Sequence, residues 1–223
     1  TSKDFATLSA MGIRTVRLDL GDSDSQIAAE SAVINAYSAK GIQIIGIAPY
    51  VQKGTAFSNN VVAQDSAWVG KLAPKLYALE LQNEPNVSSQ EQLSAANYVL
   101  LAQAVARSAR LANPDIVISS GGTYRYDTTW LAQTVPALVS SIDCIGVHPY
   151  DSNPADFAKI AADVYTTYHK PMCQLEWGEV QAQTAARIQQ AAQTLKGYVP
   201  IFVFFNLAEL EANPSYQAAY SNL

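Results

Sequence analysis

The chain has 223 residues, 49% of them hydrophobic and only 15% charged, with a formal net charge of −5. That is enough apolar material for one substantial core inside the size range of an α/β barrel, so one domain over 1–223 is expected. So few basic residues exclude a nucleic-acid binder working through a basic groove, and the absence of a long apolar run or a signal-like start in "TSKDFATLSAMG" gives no membrane partner.

The first element, "KDFATLSAMG", has helical spacing. Residues 13–20, "IRTVRLDL", alternate as a strand does, and "SQIAAESAVINAYSAKG" returns to helical spacing closed by Gly41, a residue suited to a helix stop. "IQIIGIAPY" is a nearly continuous apolar run, the pattern of a parallel strand covered on both faces. A helix over "VVAQDSAWVGKLAPK" leads to the strand "ALELQNEPNVS", and the helix "SQEQLSAANYVLLAQAVARSARLAN" leads to the strand "DIVISSGG". Three further helix–strand units follow: "TTWLAQTVPALVSS" with "DCIGVHPY", "ADFAKIAADVYTTYHK" with "PMCQLEWG", and "TAARIQQAAQTLKGY" with "PIFVFFNLAE".

Strands alternating with helices throughout imply a parallel sheet with helices outside it. The fold class expected is α/β, a TIM (β/α)8-type barrel with seven strands in this chain and the first of eight missing. The missing strand is most simply one that would precede residue 1, supplied upstream in a longer polypeptide with additional domains; a seven-stranded or open variant is the alternative. A doubly wound open sheet would carry a Gly-rich turn after its first strand, whereas the turn after Leu20 reads "GDSDS".

The two cysteines, Cys144 and Cys173, fall in predicted strands with no CxxC or Cys/His ligand spacing, so no metal site is expected. They read as buried free thiols, with a disulfide open if the two strands are neighbours. Alternation counted from the strand ends sets them on opposite faces, which weakens the disulfide.

Functional groups gather at the C-terminal ends of barrel strands, and two of these strands end in a glutamate: Glu84 closes "LELQNE" and Glu176 closes "PMCQLE". Two carboxylates across one cleft are the minimum apparatus for glycoside hydrolysis, one giving a proton to the leaving oxygen and one attacking the anomeric carbon. Alternation puts Gln82 and Glu80 on the face of Glu84, and Gln174 and Met172 on the face of Glu176.

"QNEPN", "LEWGE", "GIRTVRLDL", "DCIGVHPYD" and "IFVFFNLAE" together resemble the strand ends of the clan A retaining glycoside hydrolases, and the similarity runs over essentially the whole chain. The resemblance implies a (β/α)8 barrel that hydrolyses a carbohydrate substrate without cofactor, with Glu84 as general acid/base and Glu176 as nucleophile. It further implies that Asn83 binds the sugar 2-hydroxyl, that Arg17 keeps Glu176 ionised, and that His148 and Tyr150 line the sugar and orient the glutamates. On the last strand the clan has a Trp where this chain offers Phe205 or Asn206.

Blander roles stand beside these. Glu84 could cap the following helix, Arg17 could only pair with Glu80 or Asp19, and His148 could be a satisfied interior histidine. Trp177, Tyr50, Tyr124 and Tyr126 fall near strand ends, where they would either line sugar subsites or only pack. Glu179, Glu209 and Glu211 are rim candidates at most. The function expected is a retaining β-glycoside hydrolase, extracellular or particle-associated; the alternative is an inactive carbohydrate-binding or structural barrel module of a larger cell-surface or virion assembly.

Overall fold

Helix and strand follow each other in the order the sequence predicts. The computed structural model describes residues 2–21, 23–51, 56–87, 93–150, 152–177, 185–196 and 199–204, with positions 208, 212 and 215. Its strands are β1 (Thr15–Asp19), β2 (Gln43–Ile47), β3 (Ala78–Asn83), β4 (Val117–Tyr124), β5 (Ile145–His148), β6 (Met172–Trp177) and β7 (Phe202–Phe204). The helices are α1 (Ser2–Ala10), α2 (Asp24–Ser38), α3 (Asn59–Leu72), α4 (Ala95–Ala112), α5 (Thr128–Leu138), α6 (Phe157–Tyr168) and α7 (Ala185–Leu195). No helix among the described residues is long and apolar enough to cross a membrane.

Side chains start four of these helices. Ser23, Ser58, Ser94 and Asp127 each accept the backbone N–H of the residue three positions on, satisfying a donor that the helix itself leaves unpaired. After α2 the chain turns through Gly41 at φ +74°, a left-handed backbone that glycine adopts without a Cβ penalty, and enters β2 directly.

All six neighbouring strand pairs are parallel, in the order β1-β2-β3-β4-β5-β6-β7, as in a nearly closed TIM-type barrel. No pairing of β7 with β1 occurs among the described residues. The sheet separates two apolar layers. The larger joins Ile44, Leu79, Leu81, Ile118, Ile145 and Val147 to the inner faces of the helices. The smaller contains no helix residue: Ile45, Ala78, Cys173 and Leu175 come from strands, Cys144 and Ile201 directly precede β5 and β7, and Val117 and Val203 flank them. It fills the barrel interior below the C-terminal strand ends.

The sequence expectations for Cys144, Cys173 and Met172 are corrected here. Cys144 and Cys173 are not free thiols; they form a disulfide within the inner layer, with Cα atoms 5.7 Å apart. β6 carries one extra residue against β7, because Gln174 pairs with Phe202 but Trp177 pairs with Phe204. Such a bulge reverses the alternation beyond it. Counting back from Glu176 across the bulge therefore assigns Cys173 to the wrong face, and the same slip misplaces Met172, which packs in the helix-side layer. Gln174 sits between the inward Cys173 and Leu175, and its Oε1 accepts the Val203 N–H of the next strand.

On β3 the exception is Gln82, whose φ of +72° breaks the strand geometry. Its side chain leaves the interior and donates from Nε2 to Pro49 O at 3.1 Å, in a crevice shared with Asp65, Leu101 and Val105.

Candidate active site

The ends of β1, β3, β5 and β6 deliver the polar residues that meet above the inner apolar layer. At β3 the backbone does unusual work: Glu84, like Gln82, has a positive φ, +46°. With Gln82 turned out, Asn83 and Glu84 both project into the barrel mouth although they are consecutive. The turn is pinned by the Glu84 N–H donating to Gly122 O at 2.9 Å and the Val87 N–H donating to Glu84 O at 2.9 Å. β4 approaches closely enough that a Cβ on Gly121 would lie 2.5 Å from the carbonyls of Leu81 and Gln82. Glycine at 121 is thus a requirement of the kinked strand beside it.

Arg17 on β1 is the centre of the charge network. Nε donates to Glu80 Oε2 at 2.6 Å, Nη1 to Glu176 Oε2 at 2.7 Å and Nη2 to Asn83 Oδ1 at 2.6 Å. One planar fork therefore fixes three side chains from two strands. Burial works against the cation, but the charges of Glu80 and Glu176 outweigh it and hold the Arg17 pKa above its ordinary value. Glu80 is fully buried; burial alone would favour its neutral form, yet Arg17 and His148 bring its carboxyl down to about 2.

His148 at the end of β5 is sealed from solvent. Its Nδ1 lies 3.1 Å from Glu84 Oε1 and its Nε2 3.5 Å from Glu80 Oε1. Burial disfavours the imidazolium, but the carboxyl groups of Glu80 and Glu84 facing its two ring nitrogens prevail and raise its pKa. Tyr150 donates its hydroxyl to Glu176 Oε1, and burial together with the Glu176 charge pushes the phenol well above the usual range, so it remains a donor. The Tyr150 ring stands 5.9 Å from that of Tyr124, over which the Arg125 guanidinium lies at 4.9 Å. Just past the end of β2, Tyr50 has its phenol pKa raised chiefly by burial.

Ligand-type atoms of Glu84, His148 and Glu176 all fall within 4.8 Å of one another, so the two mouth carboxylates approach at least that closely. Arg17 and Tyr150 each donate to a different oxygen of Glu176 and fix its carboxylate at the mouth. Glu84 instead faces an imidazole.

Six of the residues picked from sequence thus converge: Glu84, Glu176, Asn83, Arg17, His148 and Tyr150. Trp177 does not. Placed on the far side of the β6 bulge, it is fully buried in the helix-side layer and packs edge-on against Phe157, with ring centroids 5.5 Å apart, so it is withdrawn from the sugar-binding set. Tyr126 is turned aside as well, donating to Asp163 of α6. Phe205, Asn206, Glu179, Glu209 and Glu211 lie outside the described residues. Glu80, which sequence reasoning put inside the barrel as a possible partner of Arg17, does pair with it and also faces His148, a contact sequence reasoning did not assign.

A parallel barrel whose mouth holds two facing glutamates, an arginine clamp and a histidine defines the class of barrel glycosidases. Residues 55–203 match the family described as glycosyl hydrolase catalytic core, and the chain belongs to that family. Solved structures share the fold at low identity. A glucosidase from Croceicoccus marinus is 14% identical with a TM-score of 0.71, the match covering 90% of this chain and 55% of that one. An endo-β-1,3-glucanase of family GH128, subgroup I, from Amycolatopsis mediterranei, in complex with laminaritriose, is 16% identical with a TM-score of 0.67, covering 98% of this chain and 93% of that one. A family 30 subfamily 8 xylanase from Clostridium acetobutylicum is 14% identical with a TM-score of 0.69, covering 99% and 67%. No curated protein matches the sequence.

Proposed function

We propose that this glycosidase is a retaining β-glycoside hydrolase that cleaves a poly- or oligosaccharide by double displacement. The observation that carries the reading is that one carboxylate oxygen of Glu84 and one of Glu176 lie within 4.8 Å of each other across the barrel mouth. Retaining enzymes hold their two carboxyl groups about 5–5.5 Å apart, whereas inverting enzymes leave about 6.5–9.5 Å for a water between them.

In the first step the carboxylate of Glu176 attacks the anomeric carbon while Glu84, protonated, gives its proton to the glycosidic oxygen, which departs as an alcohol. In the second step Glu84, now a carboxylate, takes a proton from water as that water attacks the same carbon and releases Glu176. The ring carbon is inverted twice, so the product keeps its β configuration. Arg17 and Tyr150 hold the Glu176 carboxylate aimed at the anomeric carbon. Asn83, its Oδ1 already committed to Arg17, is oriented to bond the sugar 2-hydroxyl through its amide nitrogen. Tyr124 and Tyr150 offer ring faces for neighbouring sugar units. The double displacement itself uses no cofactor, and its proposed partner is the carbohydrate.

The buried disulfide supports an oxidising compartment and hence a secreted or surface-borne enzyme. Similar structures named for β-1,3-glucan and xylan cleavage make laminarin and xylan sensible first substrates. Proton NMR of the first sugar released decides the mechanism: the β-anomer should form before mutarotation, and the α-anomer appearing first would overturn retention. Binding of these glycans with no release of sugar would favour an inactive carbohydrate-binding barrel.

A further inference from the structure

Of the buried titratable groups at the strand ends, Glu80 is the one the double-displacement chemistry leaves without a task. It is 0% exposed, against 5% for Glu84 and 9% for Glu176, so it does not face a bound sugar. Its contacts nevertheless reach both of them. Oε2 receives Arg17 Nε, and the same guanidinium holds Glu176; Oε1 receives the Gly122 N–H at 3.0 Å and faces His148 Nε2, and the same imidazole meets Glu84.

We propose that Glu80 is the shared positioning residue of the site, a buried carboxylate that sets Arg17 against Glu176 and His148 against Glu84. The proposal rests on the two-glutamate reading above. The physical case has two parts. The Arg17 fork has three acceptors, and removing the one at Nε frees the guanidinium to rotate away from the geometry that also serves Glu176 and Asn83. For His148, an acceptor facing each ring nitrogen favours the doubly protonated imidazolium. The groups facing that ring are Glu80 as the anion, the Glu84 carboxyl, which enters the reaction protonated and offers Oε1 as acceptor, Arg17 as a cation acting at longer range, and the edge-on ring of Tyr150 at 6.4 Å. Nothing else described at the ring supplies the charge that Glu80 does. The space is fitted to this pair, since a Cβ on Gly122 would collide with the imidazole and come within 2.9 Å of Glu80 Oε1.

The test compares the wild type with Glu80→Gln, which keeps the shape and one acceptor oxygen but loses the charge, and with Glu80→Asp, which keeps the charge. The chain has two histidines, and His169 is exposed at the left-handed end of α6, so a His169→Asn background leaves His148 as the sole imidazole in nitrogen-15 NMR spectra. Both His148 nitrogens should carry protons at pH 7 in the parent and in Glu80→Asp, and one should lose its proton in Glu80→Gln. On laminarin or xylan, whichever the parent cleaves, Glu80→Gln should lose about 10²-fold in kcat with KM little changed, a loss of alignment and not of substrate contact, and Glu80→Asp should recover part of it. A folded Glu80→Gln with an unchanged His148 spectrum and wild-type kcat would overturn the proposal. If the parent cleaves neither glycan, the hydrolase reading fails on its own, and the spectra still decide the link from Glu80 to His148. Should Glu80→Gln not fold, a neutral His148 in the parent or in Glu80→Asp would overturn the proposal equally.

Discussion

Arg17 and Glu80 form an ion pair closed off from solvent, Nε to Oε2 at 2.6 Å, with side-chain exposures of 8% and 0%. Such a pair offers little net stability relative to an apolar substitute, but losing one partner strands the other charge in the barrel. Arg17→Met should therefore destabilise the protein by about 3–5 kcal/mol. Arg17→Lys should be milder in stability yet severe in activity, because a point ammonium cannot serve Glu80, Glu176 and Asn83 together. Chemical denaturation and steady-state kinetics on the two variants separate these effects; equal losses of stability would contradict the fork geometry.

The same pair predicts the acid limb of stability. Glu80 has a folded pKa of about 2, below its ordinary value of 4.5, so the folded state binds its proton more weakly than the unfolded state does. Its contribution is fully present above pH 4.5 and is lost as pH falls toward 2. His148 has the opposite sign: its raised pKa contributes stability below 6.5 that fades as pH rises through the folded value. Thermal melts should thus be highest between about pH 4.5 and 6.5 where these two groups dominate. Glu80→Gln should flatten the acid side, and an acid limb left unchanged by that substitution would contradict the assignment.

Gly122→Ala tests the packing of the network. Its new Cβ would meet His148 and Glu80 at once, so the imidazole must move away from Glu84. The expected result is a folded protein destabilised by about 1–3 kcal/mol with most of its activity gone. Wild-type kcat in this variant would show that the position of His148 does not matter.

Tyr150→Phe removes one of the two donors described on Glu176 and leaves the ring. Loss of a positioned donor to a reacting oxygen costs about 10²–10³ in kcat where it acts in the transition state. A fall of that order with little change in KM is expected from initial-rate kinetics.

Replacing Cys144 and Cys173 together by Ala opens a cross-link between positions 29 apart. A loss of about 2–4 kcal/mol is expected in equilibrium unfolding. Both sulfurs sit in the inner apolar layer below the site, so the melting temperature should fall further than the activity at room temperature.

Much of this architecture is legible in the chain itself. β2 reads as a strand because apolar residues fill both faces, and the site residues stood out because "QNEP" and "LEW" break off apolar runs with groups that are costly to bury alone. What sequence could not reveal turns on local departures from alternation. One extra residue in β6 moved Cys173 to the inner face it shares with Glu176, and a left-handed backbone at Gln82 turned that side chain out while admitting Asn83 and Glu84 side by side. Neither departure has a Gly or Pro at the kinked residue to announce it; the compensating glycines, Gly121 and Gly122, are on the neighbouring strand.

The central claim, that Glu176 attacks and Glu84 transfers the proton, is tested most directly by azide rescue. Glu84→Gln and Glu176→Gln are each assayed on activated aryl β-glycosides with and without azide. Azide should restore turnover to Glu84→Gln and yield a β-glycosyl azide, since the small anion needs no base to attack the glycosyl-enzyme, whereas Glu176→Gln should not give that product. A β-glycosyl azide from Glu176→Gln, or an α-azide from Glu84→Gln, would contradict the account.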